Sequence, residues 1–204
     1  MSLEAAGAAL AIEAARIAAL GWMRGTAGNL SLVLGREPLR LAVTASGIDK
    51  GALGASDVVL VDERGAAVDP AEPRRPSAES ALHARIAALT GAGAVVHVHP
   101  LAAVLAADAH PNGLVVEGLE MLKGIGRAAE GDHVRLPVVA NSQNMTVVGD
   151  RVAAALEPGV PAVLVARHGL YAWGADLTQA RHHTEIVVWL LEFVTAGGCP
   201  TTPG

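Results

Sequence analysis

The sequence contains few charged residues and few aromatic residues, and both scarcities exclude functions. Aspartate, glutamate, lysine and arginine make up 17% of the 204 residues, and the formal net charge is −5. Lysine and arginine do not cluster, and one tyrosine and one phenylalanine offer little surface on which bases could stack. Because nucleic-acid binding needs a basic surface, we expect no nucleic-acid partner.

A single cysteine, Cys199, excludes an internal disulfide and is typical of proteins of the reducing cytoplasm. No segment offers the roughly 18 uninterrupted apolar residues of a membrane span. The apolar N-terminal stretch contains Glu4, Glu13 and Arg16 and lacks a basic start, which predicts an amphipathic helix rather than a signal peptide. We therefore expect a cytoplasmic protein with no membrane partner.

Lysine is also scarce, since only Lys50 and Lys123 are present. Neither lies on an apolar strand, where loss of water would activate a lysine for Schiff-base formation. We therefore expect any carbonyl chemistry to use a metal ion rather than an imine.

The apolar fraction is 51%, which is enough for a packed core. Predicted strands alternate with predicted helices, which indicates an α/β or mixed α+β class around one sheet. We expect one domain over residues 1–198 and a short flexible tail over 199–204. The last helix is expected to begin at Asp176, which forms a capping-box pattern with Gln179.

Three segments give less regular patterns. Residues 134–140 read as one short strand, and residues 144–159 read as a helix that ends at a glycine. The glycine-rich segment 115–133 is expected to form broken turns of helix and loop.

The stretch GAVVHVHP, residues 93–100, contains two histidines within an apolar strand. Alternation along a strand sends Val95, His97 and His99 to one face, with the two histidines roughly 6.5 Å apart. That separation lets two imidazoles bind one metal ion. His168 ends another apolar strand and supplies a third imidazole, so the three histidines form a typical zinc set with an open position.

The other histidines are expected to have structural roles. His83 follows Glu79 by four residues, so the two share a helix face and predict a hydrogen-bonded pair. His182 and His183 lie on the last helix, and we expect neither to be a metal ligand.

Two glutamates are candidates for acid–base chemistry. Glu120 lies in GLEMLKG among apolar residues, where partial burial would raise its pKa toward the range useful for proton transfer. Glu79 lies in the first turn of a helix, where the helix dipole favours the charged form.

Three polar turns are candidate anion sites: residues 25–31, 44–51 and 76–79. Each offers backbone N–H groups together with a hydroxyl or an amide. Ser77 also precedes a helix start, where the N–H groups and the dipole favour phosphate.

Taken in order, GNLS, TASG, RPSAE, HVHP and RHGLYAWG resemble the motifs of the class II (zinc-dependent) aldolase superfamily. The resemblance runs from about residue 10 to residue 195. Further details, such as EMLKGI, LPVVANSQN and HGLYAWGADLTQARHHTE, are similar to the sugar-phosphate dehydratases of methionine salvage within that superfamily.

This resemblance implies one three-layer α/β/α domain around a central, largely antiparallel sheet, assembled as a homotetramer. It implies one zinc ion per subunit on His97, His99 and His168, and a sugar-phosphate substrate. Asn29, Ser46, Gly47 and Ser77 match the phosphate-binding positions, whereas Ala78 stands where aldolases often have a second serine.

The resemblance implies two different roles for the glutamates. Glu120 matches the proposed acid/base of the dehydratases, and Glu79 matches the acid/base or extra metal contact of the aldolases. Zinc-dependent dehydration of a ketose 1-phosphate is the expected activity. The alternatives are a class II sugar-phosphate aldolase, a pentulose-phosphate epimerase and, as a non-enzyme, a scaffold like the adducin head domain.

Overall fold

The computed structural model describes residues 1–198, and the predicted tail with Cys199 lies outside the described residues. Within these residues, five α-helices and nine strands follow one another. In order, they are α1 (Leu3–Ala19), β1 (Asn29–Arg36), β2 (Leu39–Thr44), β3 (Val58–Val61), α2 (Ser80–Thr90), β4 (Ala94–Val98), α3 (Leu101–Ala109), β5 (Leu114–Glu117), β6 (His133–Leu136), β7 (Val138–Val139), α4 (Met145–Ala155), β8 (Ala162–Val165), β9 (Gly169–Gly174) and α5 (Leu177–Thr195). Two 3-10 helices, Lys50–Ala52 and Glu120–Ile125, complete the set.

The main sheet has seven strands in the order β3-β2-β1-β4-β9-β8-β7. Every neighbouring pair is antiparallel except β7 with β8. The sheet is therefore largely antiparallel, as the resemblance implied. Strand β4 lies at its centre, so the register places Asn29 of β1 and Tyr171 of β9 on either side of His97.

Helices cover both faces of the sheet and produce three layers. Helices α1, α3 and α5 pack on one face, and α2 and α4 pack on the other. Residues Ala94, Val96 and Val98 of β4 belong to the core under α1, α3 and α5. Val95 belongs to the core under α2 and α4. The period-two alternation predicted for this strand is confirmed, and it places His97 on the α2 side.

The last helix begins as its sequence pattern predicted. The Asp176 carboxylate accepts a hydrogen bond from the backbone N–H of Gln179 at 2.8 Å. The Gln179 side chain accepts one from the backbone N–H of Ala175 at 2.7 Å, rather than from Asp176 itself. The donor groups at the helix start are therefore satisfied by side chains.

Three predictions of local structure need correction. Residues 134–140 form two strands in different sheets, because Pro137 lacks an N–H for a continuous ladder. Helix α4 ends at Ala155 rather than near Gly159, since the chain turns to an extended backbone at Leu156, shortly before Pro158. The segment 115–133 was expected to form broken turns of helix and loop. It contains a 3-10 helix of six residues, but it also contributes to strand β5.

Within residues 1–198, none of the helices combines the length and the apolar character that crossing a membrane requires.

Candidate metal centre and anion pocket

His97 is held in one orientation at the centre of the main sheet. Its side chain is fully buried, and its ring stacks on the Tyr171 ring with the centroids 3.9 Å apart. The Nδ1 atom lies 3.0 Å from the backbone carbonyl oxygen of Leu170. Because that carbonyl can only accept, the Nδ1 atom carries the proton. The Nε2 atom is then left free to bind a metal.

His168 reaches the same point from the turn between β8 and β9. The turn has Arg167 in the left-handed region, at φ 55°, a conformation that is uncommon for a residue with a side chain. Gly169 follows, and a Cβ atom there would lie 2.3 Å from the carbonyl oxygen of Val98 and 2.9 Å from a ring carbon of His99. The absence of a side chain at Gly169 therefore lets β9 approach β4 closely enough for His168 to meet the other two histidines.

Glu79 is brought to the histidines by the loop before α2. It is the N-cap residue of that helix, but its side chain makes no capping hydrogen bond. Its Oε1 atom lies 2.9 Å from Nε2 of His168 and 3.4 Å from Nε2 of His97. Its Oε2 atom accepts a hydrogen bond of 2.6 Å from Nδ2 of Asn29. The predicted side-chain hydrogen bond between Glu79 and His83 is not formed. The His83 ring contacts the Ser31 hydroxyl instead, and the backbone N–H of His83 donates to the Glu79 carbonyl oxygen.

Together these four side chains form a cluster suited to a metal ion. One ligand atom from each of Glu79, His97, His99 and His168 lies within 4.8 Å of the other three. The Nε2 atom of His97 lies 2.7 Å from that of His99 and 3.3 Å from that of His168. Four ligands at about 2.1 Å from one tetrahedral ion would lie roughly 3.4 Å apart. The donor types and the spacings therefore fit a divalent transition-metal ion.

The electrostatics of the cluster also suit a cation. Burial by itself raises the pKa of the Glu79 carboxyl, but the close contacts with His168 and His97 and the hydrogen bond from Asn29 outweigh burial and hold that pKa well below its usual range. Burial lowers the pKa of His99 to about 4, and the neighbouring His97 and His168 act in the same direction. The Glu79 carboxylate and the neutral His99 imidazole, the forms that bind metals, are thus favoured at neutral pH.

The cluster lies in a cavity of about 500 Å³. Glu79, His99 and His168 contribute to its wall, and the remaining lining comes from five short segments. These segments are residues 26–29, residues 45–47 with Lys50, residues 77–78, residues 141–143 with Met145, and Arg167. A larger cavity of about 780 Å³ is lined by Gly91, Gly126, Pro158 and their neighbours. We place the candidate site in the smaller cavity because it contains the metal-ligand cluster.

All four residues predicted to bind phosphate line this smaller cavity. Ser77 is brought beside the Ser46–Gly47 turn by a β-bridge between Ala45 and Pro76. The Ser77 hydroxyl accepts hydrogen bonds from Asn29 Nδ2 at 3.0 Å and from the Glu79 N–H at 3.2 Å. Its own O–H is therefore available to donate to an anion.

Glu120 lies elsewhere on the chain. It is not among the residues that line the cluster cavity, its side chain is 76% exposed, and it pairs with Lys123 at 2.6 Å. The predicted burial of Glu120 is therefore wrong for the single chain. In a 3-10 helix with three residues per turn, residues 120 and 123 share the solvent face, while Leu122 and Ile125 face the core.

The two histidines of the last helix, His182 and His183, lie outside the cluster. His182 is exposed on α5, and the Nδ1 atom of His183 lies 2.6 Å from the Trp173 carbonyl oxygen. Neither is part of the metal-ligand cluster, in agreement with the sequence interpretation.

Sequence reasoning singled out neither of the two basic residues that line the cavity, Lys50 and Arg167. Lys50, which the sequence pattern does not place in an apolar setting, is only 1% exposed. The available signal was its position three residues after the Ser46–Gly47 turn, which puts it beside the predicted anion pocket.

Comparison with known proteins gives a consistent assignment. The family model described as Class II Aldolase and Adducin N-terminal domain matches residues 8–195. A methylthioribulose-1-phosphate dehydratase from Sulfurihydrogenibium sp. (strain YO3AOP1) is 36% identical over 85% of this chain and 81% of its own. The protein of the same name from Sorangium cellulosum (strain So ce56) is 40% identical over 84% of this chain and 82% of its own. Among solved structures, L-fuculose-1-phosphate aldolase from Thermus thermophilus superimposes with a TM-score of 0.72 at 26% identity, covering 95% of this chain and 93% of its own.

Proposed function

Because the chain belongs to the class II aldolase and adducin N-terminal domain family, we propose that it is a methylthioribulose-1-phosphate dehydratase. This hydro-lyase converts 5-methylthioribulose 1-phosphate to 2,3-diketo-5-methylthiopentyl 1-phosphate in methionine salvage. Relatives with this name cover most of the chain. The observation that carries the proposal is the cluster of three histidines and Glu79 in a cavity that also contains the anion-binding turns.

The ion of the cluster is proposed to be zinc, with one ion on His97, His99 and His168 of each chain. Three imidazoles with an additional carboxylate nearby are a typical zinc set. A bound divalent ion supplies Lewis acidity toward the carbonyl oxygen of the substrate.

The phosphate group of the substrate is proposed to bind Asn29, Ser46, Gly47 and Ser77. The free O–H of Ser77 and the open space beside Gly47 support this assignment. Remote binding energy of this kind holds the reacting carbons beside the cluster.

Dehydration requires two proton movements at neighbouring carbons. A base removes the proton on C3, and the C4 hydroxyl leaves as water after an acid protonates it. The enol that results becomes the 2,3-diketone by a further proton shift. We assign these transfers to Glu120. The Glu79 carboxylate, held by Asn29 and two histidines, is assigned to orientation of the cluster.

For this role the Glu120 carboxylate must reach a cluster cavity, but Glu120 does not line the cavity of its own chain. Its exposed carboxylate is therefore proposed to enter the cavity of a neighbouring subunit in a homotetramer. A cytoplasmic location belongs to the same proposal.

A class II sugar-phosphate aldolase is the second candidate. It is favoured by the direct contacts of Glu79 with two metal-ligand histidines and by the structural similarity to an L-fuculose-1-phosphate aldolase. An aldolase would break the bond between C3 and C4 instead of releasing water.

A product assay separates the two candidates. The zinc-loaded protein is incubated with 5-methylthioribulose 1-phosphate, and the products are identified by NMR. We expect the diketone and no aldehyde. Release of an aldehyde with a three-carbon ketose phosphate would instead support the aldolase.

A further inference from the structure

Lys50 is a buried basic residue in the wall of the cluster cavity. Its residue exposure is 1%, it begins a 3-10 helix three residues after Gly47, and it lines the cluster cavity. Lysine side chains are almost never fully buried unless an opposite charge accompanies them. The environment of the ammonium group therefore needs an explanation.

The ammonium group has carbonyl partners but no carboxylate partner. Its Nζ atom donates to the carbonyl oxygen of Ile48 at 2.7 Å and to that of Thr26 at 3.1 Å. Within residues 1–198 no carboxylate lies within 4 Å of it. The nearby Asp49 carboxylate accepts from the Gly51 N–H instead. Two of the three ammonium N–H groups donate hydrogen bonds to carbonyl oxygens. These neutral acceptors do not compensate the full positive charge.

The position of this charge points to an anion. The two carbonyl groups belong to the loops that carry Asn29 on one side and Ser46 with Gly47 on the other, so the ammonium group joins two walls of the anion pocket. Arg167 also lines the cavity, but its guanidinium is paired with Asp108 at 2.9 Å. Lys50 is thus the cavity cation whose charge has no partner within residues 1–198.

We propose that Lys50 is the counter-charge for the phosphate group of the substrate. Burying an unpaired charge is costly, and a phosphate dianion bound beside Ser46 and Ser77 would compensate it. Burial lowers the pKa of Lys50, against the opposing effect of Asp49, and an anion in the pocket would favour the charged form. The inference rests on the proposed function in taking the ligand to be a phosphate monoester.

Lys50→Met removes the charge and keeps most of the length of the side chain. In the zinc-loaded protein, we expect the affinity for inorganic phosphate, measured by calorimetry, to fall by about 10- to 100-fold, as for a charge-assisted hydrogen bond. Arg64→Gln, which removes an exposed charge from a turn outside the cavity, is the matched control and should leave phosphate affinity unchanged. Equal phosphate affinity of Lys50→Met and the unaltered protein would overturn the proposal.

Steady-state kinetics distinguish a counter-charge for phosphate from a purely structural role of Lys50. For the phosphorylated sugar, Lys50→Met should raise KM by a similar factor and leave kcat within about threefold. For the free sugar, kcat/KM should change by less than about threefold. Equal losses of kcat/KM for the phosphorylated and free sugars would show that Lys50 only supports the loops.

A measurement on the unaltered protein covers the case in which Lys50→Met does not fold. The chain has two lysines, so isotope-labelled lysine gives side-chain NMR signals for Lys50 and Lys123 alone. Titration with inorganic phosphate should shift the Lys50 signal and leave the signal of exposed Lys123 in place. A Lys50 signal that does not respond at saturating phosphate would refute the inference. Because no turnover is needed, phosphate binding at Lys50 without dehydration would contradict the proposed function alone.

Discussion

At the scale of single residues, the candidate metal cluster depends on how the protein orients its imidazoles. The Nδ1 proton of His97 is fixed by the Leu170 carbonyl, so the ring presents Nε2 to the cluster. Replacing His97 with alanine should abolish metal binding and activity together, because it removes the ligand at the centre of the set. Metal content per chain, measured by mass spectrometry, should fall from about one to near zero.

The matched control for that variant is His182→Ala, since His182 is exposed on α5 outside the cluster. It should retain both metal and activity. Full metal occupancy in a His97→Ala, His168→Ala double variant would refute the assignment of these ligands.

Substitution of Glu120 should affect mainly kcat, whereas substitution of Glu79 should affect mainly metal binding. A positioned general base is worth about 10²- to 10⁴-fold in rate. Glu120→Gln should therefore lower kcat by about that factor while zinc stays bound, because Glu120 makes no contact with the ligands. Glu79→Gln should weaken metal binding and, once metal is saturating, cost less in kcat. Steady-state kinetics at several zinc concentrations measure both effects.

The opposite pattern would reverse the assignment. If Glu79→Gln abolished turnover at saturating zinc and Glu120→Gln left it nearly intact, the acid–base role would pass to Glu79 and the aldolase would become the favoured function.

Ser77 tests the phosphate pocket at the level of one hydroxyl. Its Oγ atom accepts two hydrogen bonds within the protein and keeps its O–H for a ligand. Ser77→Ala should weaken binding of the phosphorylated substrate by about 1–3 kcal/mol, as expected for a hydrogen bond to a charged group. The free sugar is the control, and its turnover should be poor with or without Ser77. Equal turnover of phosphorylated and free sugar by the unaltered protein would argue against the pocket.

At the scale of secondary-structure elements, the approach of β9 to β4 decides whether the histidines meet. Gly169→Ala would place a Cβ atom 2.3 Å from the Val98 carbonyl oxygen, so the two strands would have to separate. We expect a loss of about 1–3 kcal/mol in the free energy of unfolding and weaker metal binding. Urea unfolding and a zinc titration measure the two effects.

Gly35→Ala on β1 is the control, because its Cβ atom would lie 3.5 Å from the nearest backbone oxygen, an ordinary contact. Its metal affinity should be unchanged. If Gly169→Ala bound zinc as tightly as Gly35→Ala, close approach of these strands would not be what assembles the cluster.

At the scale of the whole molecule, buried histidines link stability to pH. His83 is fully buried, and burial lowers its pKa to about 3, with the neighbouring His97 adding to this effect. Between that value and about 6.5, the unfolded chain binds the proton and the folded chain does not. The free energy of unfolding should therefore fall as pH decreases through this window, by up to about 1.4 kcal/mol per pH unit from His83.

Urea unfolding at pH 7 and pH 5, at saturating zinc, measures this dependence. His83→Gln should reduce it, whereas His133→Gln, on an exposed residue, should not. An unchanged pH dependence in His83→Gln would show that His83 is not responsible.

Local sequence patterns set the order of helices and strands and the face of the sheet on which the histidines lie. The alternation of valine and histidine in β4 depends only on the period of two along a strand, so His97 and His99 share a face in any sheet that contains this strand. The start of α5 likewise depends on neighbours a few residues apart, Asp176 and Gln179. Such features are predictable because their causes lie within a short stretch of the chain.

Which distant residues surround those histidines depends on how the elements pack in three dimensions. The Glu79 side chain contacts His168 rather than the His83 ring, because the loop before α2 is tied to the end of β2 by the bridge of Ala45 with Pro76. Lys50 is buried although it lies in a turn next to Asp49, and Glu120 is exposed although its neighbours are apolar. Burial depends on what packs against a residue from elsewhere in the chain, and that packing is absent from any local pattern.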